Sequence, residues 1–231
     1  MQISKRLQAL AHMVPQGMRV VDVGCDHGYL PIYLVQNQMI PGAVAMDVRP
    51  GPLEHARKNI QAYGLENYIE TRLSDGLQAM PKAQGEALVI AGMGGPLMEK
   101  ILLEGGDCAA GFPVWILQPQ SEIPRFRRFI ESRGRQIVAE QIVFEDGKYY
   151  PMLQAVPGHN PYKEEIYYLY GKKPLVEKDE VLHCYLLKER QQKTDILEQL
   201  LEAGTPAAQM RIREVEKEKE QIEAALRCYE M

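Results

Sequence analysis

The chain has 231 residues, 45% of them hydrophobic and 25% charged, with a formal net charge of −4; that suffices for one cored domain plus an appendage and excludes a protein that coats nucleic acid with its whole surface. Apolar runs such as Ala87–Ala91 and Val114–Leu117 fall far short of the roughly 20 residues a membrane helix needs. The opening MQISKRLQALAHM carries no signal-peptide apolar stretch, so a cytoplasmic protein off the membrane is expected.

Along the chain, apolar β-rich runs at Arg19–Val23, Ala43–Asp47, Ile69–Leu73, Ala87–Ala91 and Val114–Leu117 alternate with helical patterns at Ser4–Met13, Tyr29–Gln38, Gly51–Tyr63, Pro96–Leu103 and Ile123–Ser132. Repeated strand-helix order implies right-handed crossovers and an α/β fold with a parallel sheet covered on both faces. The rhythm then breaks: Gln136–Phe144 and Lys148–Val156 flank Asp146-Gly147, a tight-hairpin signal, so the sheet should end in an antiparallel hairpin. A tyrosine-rich connector follows Pro157-Gly158. From Lys178 onward the chain is helical in period and holds nine Lys/Arg against twelve Asp/Glu, leaving the body nearly neutral. Ala203-Gly204-Thr205-Pro206 reads as a helix end and a new start with Thr205 as N-cap, giving a coiled-coil-like antiparallel helical hairpin. A turn near 206 sets residues whose numbers add to about 412 opposite one another: Leu200 with Ile212, Leu197 with Val215, Leu186 with Leu226, and Cys184 with Cys228 as buried or half-buried, unbridged thiols. The expected domains are 1–158 for the sheet and 159–231 for the connector and hairpin. The four cysteines form no C-x-x-C pair and no metal spacing, so free thiols and no metal site are expected.

The stretch VVDVGCDHGYL stands where a nucleotide-binding loop belongs, but Asp26 occupies the place of the glycine that approaches a pyrophosphate in G-x-G-x-x-G. A carboxylate there repels phosphate. A ligand without phosphates removes the conflict, and S-adenosyl-L-methionine is one, with an ammonium to attract carboxylates and a ribose that wants an acidic partner. Gly24 allows the tight turn, Asp22 and Asp26 offer charge to the methionine end, Asp47 is placed for the ribose diol, and Asp75-Gly76 for the adenine. Taken singly, Asp47 and Asp75 also read as a strand-end cap and a helix cap. Together they ring the C-terminal strand ends, where open α/β sheets bind ligands.

D-V-G-C-D-H-G-Y-L-P, the V-I-A-G-M-G-G of Val89–Gly95, the I-L-Q-P of Ile116–Pro119, the E-D-G-K hairpin and the helical tail, in that order, resemble the bacterial tRNA (adenine-22, N1)-methyltransferases of the TrmK type. Cys25, Gly28 and Gln120 stand where that family more often has a small hydroxyl residue, alanine and asparagine. The resemblance implies a Rossmann-like class I methyltransferase sheet, S-adenosyl-L-methionine as cofactor, tRNA as partner, and a monomer or weak homo-oligomer. It places Asp22, Gly24, Cys25, Asp47, Val48, Asp75, Gly76, Gly92 and Met93 at the cofactor. Asp26, with His27 orienting it or touching the base, is the candidate for balancing the charge that develops on adenine; a loop cap and a structural histidine are the competing readings. For RNA the candidates are Arg6, Gly94, Tyr149, and Arg125 and Arg128 from the run Arg125, Arg127, Arg128, Arg133, Arg135, which a solvated helix face explains equally.

Overall fold

The computed structural model describes residues 1–80, 82, 85–203 and 205–230, with Ala207 known in its backbone only. The chain divides into two compact units, Met1–Pro161 and Tyr162–Met231.

In the first unit, β1 (Val20–Val23), β2 (Ala43–Asp47), β3 (Ile69–Leu73), β4 (Ala87–Met93) and β5 (Val114–Pro119) are parallel, and β6 (Arg135–Glu145) with β7 (Lys148–Pro157) closes one side antiparallel. The order is β3-β2-β1-β4-β5-β7-β6. β1, β2 and β5 are buried at every position, which is why they read as unbroken apolar runs rather than alternating ones. Alternation still decides which face each residue meets. Val20, Ala45, Val89 and Ile116 join Leu10, Ile32, Leu53 and Ile60 of α1 (Lys5–Met13), α2 (Tyr29–Gln36) and α3 (Pro50–Ala62). Val21, Met46, Ile90 and Leu117 join Met98, Leu102, Phe126 and Ile130 of α4 (Gly95–Glu104) and α6 (Ile123–Ser132) on the other face.

Local chemistry sets the helix ends. Ser4 Oγ accepts the Leu7 N–H at 3.2 Å, and α3 begins on Pro50, where a missing donor costs nothing. α2 stops at Gln36, two residues short of the expected end, with Gln38 left-handed at φ 56°. β4 runs two residues beyond Ala91 through a bulge at Gly92, whose φ of 77° favours glycine. Asp146 and Gly147 both take positive φ, 49° and 76°, the type I′ turn that matches strand twist. The short α5 (Gly106–Ala110) was not expected, because five residues carry no readable helical period.

In the second unit, α7 (Glu165–Tyr170) and α8 (Lys172–Val176) lie in the tyrosine-rich connector, and α9 (Glu180–Ala203) and α10 (Pro206–Glu230) form the antiparallel pair. Thr205 Oγ1 accepts the Ala208 N–H at 3.2 Å, the cap its sequence promised; Gly204 lies outside the described residues. His183 stacks on Tyr229 at 4.4 Å and Lys193 pairs with Glu218 at 2.6 Å, the register a turn near 206 demands. Leu186, Val215 and Leu226 are buried, but Cys184 is exposed and only Cys228 is half-buried, so the thiol expectation is corrected: position 184 falls on the outward side of its helix.

Candidate functional site

A cavity of about 550 Å³ opens at the C-terminal ends of β1 to β5, within the range of about 300–1,000 Å³ usual for ligand sites. It sits where the chain, having laid β2 and β3 on one side of β1, crosses back to place β4 on the other. Beyond β1 the Gly24 and Cys25 N–H groups both donate to the Met46 carbonyl, at 2.8 and 2.9 Å, folding the loop over β2. This turn needs Gly24 at φ 78°, and a Cβ there would collide with Met93 Cε. Asp26 takes φ 50° and Gly28 starts α2 at φ 72°. Asn59 Nδ2, from α3, holds the His27 carbonyl at 2.9 Å.

The acidic groups fall into two environments. Asp22 and Asp47 are 4% and 6% exposed. Burial, then the Asp47 charge, raises the Asp22 carboxyl to about 7, so it titrates near neutrality. Asp47 Oδ1 accepts the Arg49 N–H at 2.9 Å, the strand-end cap, at the cavity wall. Burial, then Asp22, Asp47 and Asp26, push the Cys25 thiol far up, so it is a neutral wall and no nucleophile. The Asp26 side chain is 66% exposed, 3.6 Å from His27 Nε2. Asp75 is exposed, while its neighbour Ser74 is buried and shapes the loop: its Oγ donates to Gly76 O and accepts from Ala79 N–H, both at 3.0 Å.

Gln118 organises the β4–β5 side. Fully buried, it accepts at Oε1 from Arg6 Nη1 (3.2 Å) and from the Gly92 N–H (3.1 Å), and donates from Nε2 to Pro119 O (3.1 Å). Arg6 also lies over the Tyr150 ring, and its helix is tied to the hairpin by Glu145, which accepts the Lys5 and Arg6 N–H groups at 2.6 and 3.3 Å.

The fold thus brings Arg6, Asp22, Gly24, Cys25, Asp26, His27, Asp47, Val48, Asp75, Gly76, Gly92 and Met93 to one cavity. Gly94, Arg125, Arg128 and Tyr149 do not line it. A Cβ on Gly94 would come within 3.0 Å of Ser121 Oγ, so this glycine serves close packing of the turn. Arg125 Nη2 is bound to Glu99 at 2.7 Å, Arg128 is exposed, and Tyr149 lies against Phe144 at 4.6 Å. Two members of the arginine run leave the RNA reading: Arg127 is buried against Glu140 at 2.7 Å, and Arg135 is buried over Trp115. Ser74, Gln118 and Asn59 were missed as site residues. For Gln118 a signal existed: one amide inside an otherwise apolar buried strand must be hydrogen-bonded to something. Among the described residues no group of three or more His, Cys, Asp or Glu could hold a metal ion.

Residues 3–153 match the family model of a methyltransferase domain. The chain is 38% identical over 158 residues to the tRNA (adenine(22)-N(1))-methyltransferase of Bacillus subtilis, an alignment covering 68% of this chain and 66% of that protein. The crystal structure of the B. subtilis m1A22 tRNA methyltransferase TrmK superposes with TM-score 0.85 at 32% identity, covering 97% of this chain and 99% of that one. Streptococcus pneumoniae Sp1610 in complex with S-adenosyl-L-methionine superposes with TM-score 0.87 at 34% identity, covering 97% and 100%. The carboxylate-ringed cavity, the antiparallel sheet end and these likenesses converge: the chain belongs to the methyltransferase-domain family, in its TrmK-type tRNA (adenine-22, N1) branch.

Proposed function

We propose that this chain transfers the methyl group of S-adenosyl-L-methionine to N1 of adenine at position 22 of tRNA. The observation that carries the reading is the cavity's charge: Asp22 and Asp47 buried in its wall, Asp26 and Asp75 at its mouth. That arrangement suits a cationic nucleoside and repels a dinucleotide phosphate. When bound, the sulfonium supplies an electrophilic methyl group. Asp22 holds the ammonium, Gly24 and Cys25 pass beneath the methionine chain, Asp47 and Val48 take the ribose, and Asp75, Gly76, Gly92 and Met93 take the adenine side.

Adenine N1 carries a lone pair, so no base must deprotonate it, and the enzyme's main task is alignment. The ring becomes cationic as the methyl arrives, and Asp26, with His27 beside it, stands at the mouth to balance that charge. Reaching N1 requires an unpaired or flipped base. Arg6, Gly94, Arg125, Arg128 and Tyr149 are proposed to meet the RNA, Arg125 sharing its guanidinium with Glu99. The assignment of residues 1–158 to catalysis and 159–231 to an appendage, a monomeric or weakly associating state, and a cytoplasmic setting belong to the same proposal.

The test is methylation of unmodified bulk tRNA with labelled S-adenosyl-L-methionine, followed by nucleoside analysis and mapping. 1-Methyladenosine at position 22 is expected. Another labelled nucleoside overturns the acceptor assignment, and none, with cofactor still bound, overturns the activity.

A further inference from the structure

At the opposite end of β5 from the cofactor-side cavity lies a second cleft, of about 110 Å³, among Leu102, Ala109, Pro157, the Trp115 indole and two arginines, Arg133 and Arg135. No carboxylate lines it. Arg133 is exposed at the end of α6, whereas Arg135, at the start of β6, is only 3% exposed.

The guanidinium of Arg135 lies 3.8 Å from the centroid of the Trp115 ring, whose own Nε1 is fixed on the Ala109 carbonyl at 2.9 Å. Nη2 donates to the Ala110 and Phe112 carbonyls at 2.9 and 2.7 Å, capping the end of α5. Those contacts account for one arm of the fork. Nη1 is buried and has no hydrogen-bond partner among the described residues, and no acidic side chain among them pairs with Arg135. Burial draws the group down to about 10, so it is still a cation at neutral pH. A buried cation facing only carbonyl dipoles and a ring is incompletely compensated, and a single anion would complete it.

We propose that this cleft binds a compact oxyanion of the phosphate type, held by Arg135 from within and by Arg133 at the rim. The volume sets the class: at about 30 Å³ for a water, the cleft has room for a tetrahedral oxyanion and its remaining hydration but not for a nucleotide. The site is separate from methyl transfer, so it stands or falls independently of the function proposed above.

Trp115 is the only tryptophan in the chain, so its emission reports on this cleft alone. The experiment titrates the full chain with sodium phosphate at ionic strength held constant with sodium chloride. A saturable change in emission is expected, weakened about tenfold in Arg133→Ala, the scale of one charge-assisted contact, and lost in Arg135→Met. Arg133 is exposed, so its variant tests the site even where Arg135→Met fails to fold. A second arm replaces phosphate by a 5′-phosphorylated dinucleotide; a response to the dinucleotide alone overturns the compact-anion assignment. An emission change reproduced by chloride, or a phosphate titration identical in Arg133→Ala, overturns the site.

Discussion

If Asp22 holds the cofactor's ammonium, as proposed, cofactor affinity becomes a function of pH. Its carboxyl is held at about 7 by burial and by Asp47, and it must ionise to hold the ligand's ammonium. Below pH 7 each binding event therefore has to expel a proton, and the apparent dissociation constant rises by about 10-fold at pH 6 and about 100-fold at pH 5 over its value with Asp22 fully ionised and the ligand amine protonated. S-adenosylhomocysteine is the suitable probe, because it carries the same ammonium without the reactive sulfonium. Calorimetry in buffers of different ionisation enthalpy should show about 0.9 proton released per ligand at pH 6 and about half that at pH 7. The ligand's own α-amino group titrates at about 7.7–8.0, so the diagnostic limb is the acid one. Asp22→Asn should bind weakly and lose this limb, while His27→Gln should keep it. The same shift acts on the empty protein with the opposite sign. The folded-state value lies above the unfolded 3.8, so stability is greatest below that and falls by up to about 4 kcal/mol as pH rises to 7 and beyond. Asp22→Asn should consequently out-stabilise the parent at pH 8 and match it near pH 4. A dissociation constant flat within twofold from pH 6 to pH 8, with no proton release, refutes the reasoning.

Asp47→Ala should raise the cofactor's KM with a smaller effect on kcat, whereas Asp26→Asn should lower kcat at saturation by about 10²–10³, the scale of one lost preorganised contact; steady-state kinetics with both substrates varied decide, and an Asp26→Asn enzyme that binds cofactor poorly but turns over normally makes Asp26 a ligand of the methionine end. Arg127→Met takes the guanidinium away from the Glu140 carboxylate, whose side chain is 1% exposed, and should cost about 3–5 kcal/mol in urea unfolding; Arg127→Met with Glu140→Leu should recover much of it, and an unaltered midpoint in the single variant refutes the pair's structural role. Arg128→Ala should weaken tRNA binding and reduce its salt slope by about one unit while leaving S-adenosylhomocysteine affinity unchanged; filter binding at several salt concentrations checks it, and an unchanged slope returns Arg128 to the solvated face of its helix.

The strand-helix alternation, the Asp146-Gly147 turn and the Thr205-Pro206 helix start were legible in the sequence because each is local: period, positive φ and a cap are properties of a few adjacent residues. So was the ligand's charge, since an aspartate in a glycine-rich loop conflicts with phosphate wherever the loop lies. What the chain order left undecided was which side chains share a surface. Arg125, Arg127, Arg128, Arg133 and Arg135 form one run of like charge in sequence. In the fold Arg127 turns inward to Glu140 and Arg135 to Trp115, and Arg125 pairs with Glu99 from another helix. Helical twist and the strand that follows send neighbours in opposite directions, so Arg127 meets a carboxylate while Arg135 meets a ring and backbone carbonyls. Gln118 shows the converse: a residue silent in its own strand joins Arg6 and Gly92, 112 and 26 positions away, because only the packed sheet sets those groups within hydrogen-bond reach. The sequence by itself determined the sheet's strands, its long helices and the ligand's sign of charge; the tertiary structure decided the short helices and which charges are spent inside and which remain for a substrate, since burial and pairing are properties of three-dimensional proximity.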